Sequence, residues 1–314
     1  MNSTITLDSK IYIAGHNGMV GSACLRLFQL RGYKNLIFKT SKELDLRNQM
    51  EVNSFFEDQK PDAVIIAAAR VGGIHANNTY GYDFLIDNLQ IQNNLISASE
   101  KNNVGKVIFL GSSCIYPKMA PQPLKEEHLL TGSLEETNQW YAIAKIAGLK
   151  SIEALNKYKN KNYVSLMPTN LYGQNDNYDL NNSHVLPALI RKFHEAKINN
   201  HSEVVLWGSG EPLREFLYVD DLAEAILYSL VNDLDSDLYN IGSGDEISIK
   251  ELAEMIQKII GHNGKIIWDT SMPNGTPRKL LDSSRFLSKG WSPKTNLRDG
   301  IEKVYKEEKI FLES

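Results

Sequence analysis

Cysteine is nearly missing from this sequence: two residues, Cys24 and Cys114, stand far apart among 314. That scarcity excludes a disulfide framework and makes a reducing cytoplasm the expected compartment. No metal site is expected either. Long apolar runs are also lacking. None approaches the roughly 20 residues needed to cross a bilayer. The longest, 63–69, suits a buried strand. The first ten residues have neither the charged region nor the long apolar region of a signal peptide. A basic excess is absent as well. Lysine and arginine total 34 against 38 acidic residues, a net charge of −4. Neither nucleic acid nor an anionic membrane is therefore an expected partner. Internal repeats and low-complexity tracts are lacking too.

What is present is an ordinary globular composition, 42% hydrophobic and 23% charged. The length suits one large α/β domain plus a smaller one. Short apolar runs at Lys10–Ala14, 36–39, 63–67, Lys106–Leu110 and 163–167 read as strands. Between them, 19–31, 48–59, 83–101 and 140–158 read as helices. Continuous apolar strands alternating with helices imply a parallel sheet covered on both faces. The expected fold is a doubly wound, Rossmann-type α/β sheet with a smaller C-terminal α/β domain. After Pro168 the pattern changes. Residues 170–184, rich in Asn, Asp, Gly and Tyr, read as a long irregular loop, and such loops are usually functional. Helices are expected at 187–196, 219–230 and Ile249–Ile260, and strands at 204–207 and Leu238–Ile241. The division expected is 1–170, joined by 216–245, for the nucleotide-binding domain. Residues 171–215 and 246–314 form the substrate domain.

Gly15-His-Asn17-Gly18-Met19-Val20-Gly21 has the spacing G-x-x-G-x-x-G between the first strand and the first helix. Glycines there allow a tight turn and close approach to a pyrophosphate on the helix N-terminus. An acidic residue at the end of the second strand would bind a ribose 2′-OH. Here Lys39, Thr40, Ser41 and Lys42 precede the first carboxylate, Glu43. Two lysines and two hydroxyls suit a 2′-phosphate, so NADP(H) is the expected cofactor; the plainer reading is that the lysines are solvated charges. Asp45 and Leu46 are placed to flank the adenine. The small side chains of Ala67 and Ala68 let a cofactor lie close.

Tyr141 and Lys145, four residues apart on a helix, share one face. A nearby ammonium favours the phenolate and is expected to lower the tyrosine pKa toward neutrality. Such a tyrosine can pass a proton to or from a carbonyl or alcohol oxygen, and Ser112 is placed to hold that oxygen. This is equipment for a nicotinamide-dependent carbonyl/alcohol oxidoreductase. Cys114, two residues beyond Ser112, adds a thiol that hydride transfer does not need.

Several motifs together resemble the GDP-L-fucose synthases, a group of the extended short-chain dehydrogenase/reductases. They are Ala14-Gly-His-Asn-Gly-Met-Val-Gly21, Ala67-Ala-Ala-Arg-Val-Gly-Gly-Ile74, Gly111-Ser-Ser-Cys-Ile-Tyr-Pro-Lys118 and Tyr141-Ala-Ile-Ala-Lys145. Met167-Pro-Thr-Asn-Leu-Tyr-Gly173, Asn182-Ser-His-Val185, Trp207-Gly-Ser-Gly210, Arg214-Glu-Phe216 and Gly275-Thr-Pro-Arg-Lys-Leu-Leu-Asp282 extend the likeness nearly end to end. The resemblance implies conversion of GDP-4-keto-6-deoxy-D-mannose to GDP-L-fucose, by epimerisation at C3 and C5 and then reduction of C4 with NADPH. It implies Tyr141 as proton donor to O4, Ser112 as its hydrogen-bond partner, Lys145 on the nicotinamide ribose, and Cys114 with His184 as the epimerisation acid/base pair. It adds Pro168, Asn170 and Leu171 to the cofactor site. Asn170, Lys192, Trp207, Arg214 and Asn274 join His184 on the nucleotide-sugar, with Arg214 on the pyrophosphate. It also implies a homodimer through the 83–101 and 140–158 helices, where apolar positions such as Ile91, Leu95, Ile146 and Leu149 read as more than one sheet face covers.

The sequence departs from that group in places. Arginines often stand there where Asn17 and Ser41 stand here, which leaves Lys39 or Lys42 to meet a 2′-phosphate. Asn274 replaces a common Asp, which puts recognition of the base in question. Three alternatives remain beside the bifunctional reading. One is a 4-reductase on another GDP-4-keto sugar, such as a heptose or 3-deoxy sugar. Another is a non-catalytic nucleotide-binding scaffold, which Ser112, Tyr141 and Lys145 argue against. A 4,6-dehydratase would want an acid where Cys114 stands.

Overall fold

The computed structural model describes residues 5–180, 182–272 and 274–312. The first four residues of the N-terminal segment read above lie outside it. Six strands form a parallel sheet. In chain order they are β1 (Lys10–Ala14), β2 (Asn35–Ile37), β3 (Ala63–Ile66), β4 (Lys106–Leu110), β5 (Val164–Pro168) and a later strand, Leu238–Ile241. The spatial order is β2-β1-β3-β4-β5 and then that later strand. Side chains alternate between the two faces, as strand geometry requires. Ile11, Ile13, Ile108, Leu110, Val164 and Leu166 enter one buried cluster. Tyr12, Ala14, Val107, Phe109, Tyr163 and Met167 enter the other. Helix α1 (Met19–Leu30) contributes Ala23, Cys24 and Phe28 to the first. Helices α2 (Gln49–Gln59), α4 (Gly81–Lys101) and α5 (Gln139–Lys159) cover the second, with a short α3 (Ile74–Thr79) between α2 and α4. Apolar runs buried on both faces therefore produce the doubly wound sheet expected from the sequence.

The second strand is shorter than expected and ends at Ile37. Phe38 leaves the sheet and packs against His16, ring centroids 4.8 Å apart, so Lys39 stands beyond the strand.

Residues 170–184 are not all loop. Asn170–Tyr172 forms β6, pairing in parallel with the second half of β8 (Leu213–Tyr218) in the register Asn170↔Phe216 to Tyr172↔Tyr218. Three residues between Thr169 and a glycine carry no period of their own; the exposed edge of β8 creates this strand. Helix α6 runs Val185–Ile198, with His184 at its N-cap. Pro187 lies in the first turn, where its missing N–H costs no helical hydrogen bond.

β7 (Glu203–Trp207) pairs with a later strand, Lys265–Asp269. After β8, α7 (Val219–Val231) returns the chain to the large sheet, which it covers beside α1. β9 (Leu238–Ile241) is the sixth sheet strand, and β10 (Glu246–Ser248) pairs antiparallel with β8. A capping box opens α8 (Ile249–Ile260): Ser248 Oγ accepts from Glu251 N at 3.1 Å and Glu251 Oε2 accepts from Ser248 N at 3.0 Å. β11 (Lys265–Asp269) and β12 (Arg278–Lys279) follow, the latter parallel to β8. Further on, α9 (Ser284–Leu287) brings Phe286, and the next segment Trp291, into the large-sheet core beside Tyr239. α10 (Leu297–Leu312) packs Ile301 and Val304 into a third cluster with α6 and α8.

Candidate functional site

The carboxyl ends of β1, β3, β4 and β5 open onto one edge of the sheet, and strand order reverses between β1 and β3. Crevices outside such an edge are where doubly wound sheets bind ligands. Gly15, just past β1, has φ +86°, and a Cβ there would lie 2.7 Å from Ala68 N. A Cβ on Gly21 would lie 2.1 Å from Gly15 O. Both positions must be glycine for the loop to close down on α1 and on Ala67-Ala68. No side chain caps α1 at Gly18, and no acidic residue occupies its first turn. The Met19, Val20 and Gly21 end of the helix is thus shaped for an anionic ligand. Beside it, His16 Nδ1 is buried with no hydrogen-bond partner among the described residues. This open cradle fits the pyrophosphate of a dinucleotide. Asp45 is committed to Arg47, which grips it through Nε and Nη2, each at 3.0 Å. Leu46 packs partly buried against the sheet cluster. Past β5, Pro168 leads to Asn170, whose Nδ2 donates to Glu215 O at 2.8 Å, and to Leu171, packed against the other sheet cluster.

β4 ends at Leu110, and Ser112 follows as the N-cap of a tight turn, Ser113–Ile115. The segment is turned rather than extended, because Cys114 N–H reaches back to Ser112 Oγ at 3.4 Å. The turn, not a pleat, brings the thiol segment onto the hydroxyl. Tyr141 and Lys145 lie one turn apart on α5. Lys145 Nζ donates to Leu110 O at 2.8 Å and sits 4.9 Å above the Phe109 ring and 5.7 Å from the Tyr141 ring centre.

The expected lowering of the Tyr141 pKa by Lys145 is not what this geometry produces. Burial pushes the phenol well above its ordinary value, and Cys114 adds to that. Burial pulls Lys145 down to about 8. Desolvation outweighs attraction here, and the ammonium is aimed at a carbonyl rather than at the phenol oxygen.

Cys114 is pushed up by burial, opposed first by the Lys279 ammonium, then by Ser112 and Lys145. His184, at the N-cap of α6, keeps part of its side chain open to solvent while protein packs around the rest. Desolvation by the surrounding protein, and then Lys279, push its imidazole down. Lys279 is therefore within electrostatic reach of both groups. It lies on β12 directly beside Arg214 of β8; its amine is pulled down by burial and by Arg214, and raised by Cys114. Lys279 is not singled out by the sequence. Its signal there is a cation wedged before Leu280 and Leu281, which only strand pairing converts into a site. Burial also lowers the Arg214 guanidinium, whose Nη1 donates to Leu213 O at 2.8 Å. Two desolvated cations side by side suit a diphosphate.

The remaining candidates are farther out. Lys192 Nζ donates to Val205 O at 3.0 Å and lies 5.9 Å over the exposed Trp207 ring. Asn274 Oδ1 accepts from Ser209 N at 2.7 Å and lies 3.2 Å from Ser209 Oγ. Its carbonyl oxygen thus braces the turn after Trp207. Lys39, Thr40 and Lys42 line the exit of β2. No group of metal-binding side chains occurs among the described residues.

Residues 11–242 match the NAD dependent epimerase/dehydratase family. GDP-L-fucose synthase 1 of Arabidopsis thaliana is 57% identical over 298 residues, covering 95% of this chain and 92% of that protein. The GDP-L-fucose synthase of Escherichia coli is 48% identical over 307 residues, covering 94% and 95%. Among solved structures, a GDP-mannoheptose C4 reductase from Campylobacter jejuni with NADP bound superposes with a TM-score of 0.90. It is 41% identical and is matched over 97% of this chain and 99% of its own. A family match over most of the length, joined to identities near one half with the fucose synthases, leaves one assignment: the chain belongs to the NAD dependent epimerase/dehydratase family, in its GDP-L-fucose synthase group.

Proposed function

We propose that this cleft converts GDP-4-keto-6-deoxy-D-mannose to GDP-L-fucose, epimerising C3 and C5 and then reducing C4 with NADPH. The observation that carries the reading is Lys279. It is within electrostatic reach of both Cys114 and His184, which supports pairing the thiol with the imidazole at the cleft that holds Ser112, Tyr141 and Lys145. The 4-keto group acidifies the protons at C3 and C5. At neutral pH a lowered imidazole is unprotonated and a raised thiol is protonated. His184 therefore removes a proton and Cys114 returns one. Ser112 and Tyr141 hold the O4 oxygen and stabilise the enolate as charge develops there. A nicotinamide held in this cleft would supply hydride to C4; Tyr141, kept protonated by burial, donates the proton to O4. Lys145 holds the cofactor ribose, and Arg214 with Lys279 holds the GDP diphosphate. Lys192 and Trp207 meet the outer part of the nucleotide.

A second reading is favoured by the heptose reductase likeness: C4 reduction of another GDP-4-keto sugar without epimerisation. One experiment separates them. GDP-4-keto-6-deoxy-D-mannose is incubated in D₂O with the protein, first without NADPH and then with it, and the product is read by NMR. Deuterium at C3 and C5 followed by GDP-L-fucose is expected. Cys114→Ser and His184→Asn should suppress the exchange far more than the reduction of an already epimerised intermediate. NADPH oxidation with no exchange would move the chain to the simple reductase.

We further propose a homodimer built on α4 and α5; Ile91, Leu95, Ile146 and Leu149 are taken up by the sheet core rather than left for a partner, and Tyr82, Trp140 and Ile143 are exposed instead. Among the described residues no helix is long and apolar enough to cross a membrane. Two free buried cysteines fit a reducing cytoplasm.

A further inference from the structure

Thr40 lies three residues past the end of β2, where doubly wound sheets recognise the 2′ position of the adenosine ribose. Its donors are engaged. Glu43 Oε2 accepts the Thr40 N–H at 2.8 Å and the Thr40 hydroxyl at 2.7 Å, and Glu43 Oε1 lies 3.5 Å from Lys39 Nζ. A backbone N–H, a hydroxyl and an ammonium converging on one carboxylate are the donor set a phosphate would take. These contacts, led by the two from Thr40, hold the Glu43 carboxyl below its ordinary value.

We propose that Glu43 sets the choice between NADPH and NADH in this chain. Folded over Thr40 and Lys39, its carboxylate accepts a hydrogen bond from the 2′-OH of NADH. It must leave those donors for the 2′-phosphate of NADPH to use them. Glu43 is exposed, so the swing is sterically free. Few neighbours offset the repulsion between carboxylate and phosphate: Asn17 and Ser41 bring no charge and Lys39 is already paired with Glu43, which leaves the task to Lys42. A carboxylate within about 5 Å of a doubly charged phosphate in water, screened by salt, would weaken binding by about fivefold. The wild-type preference for NADPH is accordingly small, and Glu43 is what limits it. This inference deepens the cofactor assignment and rests on the cleft binding a nicotinamide dinucleotide.

The test is direct binding without sugar. Wild type, Glu43→Gln and Glu43→Ala are titrated with NADPH and with NADH, following energy transfer from tryptophan to the dihydronicotinamide. Thermal melts check that each variant is folded. The expected result is NADPH binding tightened about fivefold or more in both variants, with NADH binding unchanged or weaker. A ratio of the two Kd values within about twofold of wild type in the folded variants would overturn the role of Glu43. So would weaker NADPH binding, because the carboxylate would then be ordering the phosphate donors rather than competing for them. Wild-type protein that binds neither nucleotide would overturn the cofactor reading itself, which separates the two failures.

Discussion

Burial keeps the Tyr141 phenol protonated and brings Lys145 down to about 8, so at neutral pH a neutral phenol stands beside a lysine that is still mostly charged. A phenol kept protonated by burial is a good acid only when the oxygen it serves is becoming negative, which is the situation at O4 during hydride arrival. The lysine, lowered to about 8, loses its ammonium as pH rises through that value. Tyr141→Phe removes the acid and leaves the surrounding packing, including the edge contact with Phe84 at 6.5 Å. We expect reduction to fall by roughly 10²–10⁴ with NADPH affinity nearly unchanged. Stopped-flow reduction beside a binding titration checks this, and near wild-type turnover would rule out the role. Tyr141 and Lys145 were legible in the sequence because an i, i+4 pair on a helix is a local property. Their pKa directions were not, because desolvation depends on Phe84, Phe109 and Leu110, which come from other elements.

At the scale of elements, the segment after β3 is tied to the segment that carries His184. Arg70 is anchored by Asp87 at 2.7 Å and Asp83 at 3.3 Å, and its backbone is bracketed by the Asn88 amide. Gly73 N–H then donates to Asn182 O at 3.0 Å, and a Cβ on Gly73 would lie 2.8 Å from Ser183 O. The cofactor-side loop and the His184 loop thus touch backbone to backbone, with no room for a side chain. Gly73→Ala should push residues 182–184 outward and displace the imidazole. The expected outcome is a loss of deuterium exchange at C3 and C5 that exceeds the loss of C4 reduction on an epimerised intermediate. Equal losses in both assays would mean that the contact only supports the fold. Sequence showed Gly73 as part of a motif but not its partner, Asn182, which lies over a hundred residues away.

At the scale of the whole molecule, α4 and α5 pack on each other and on one face of the large sheet, yet Tyr82, Trp140 and Ile143 remain open to solvent. Apolar side chains in that number on neighbouring helices are a cost that a two-fold interface would remove. Light scattering at micromolar concentration should give twice the mass of one chain. Tyr82→Asp combined with Ile143→Asp should halve it and lower Tm. A wild-type monomer would defeat the proposal.

The sequence by itself determined the sheet, the dinucleotide loop and the residue types of the cleft. Each of these is written in short-range order: apolar runs buried on two faces, glycines at fixed spacing between strand and helix, a tyrosine and a lysine one turn apart. Tertiary structure alone decided the rest. β6 exists because β8 offers it an edge. Lys279 enters the cleft because β12 pairs beside Arg214. Glu43 gained its meaning only when the exit of β2 turned its carboxylate onto Thr40 and Lys39. Those are long-range pairings or side-chain orientations, and no local pattern encodes where a distant strand or a folded-back carboxylate will come to rest.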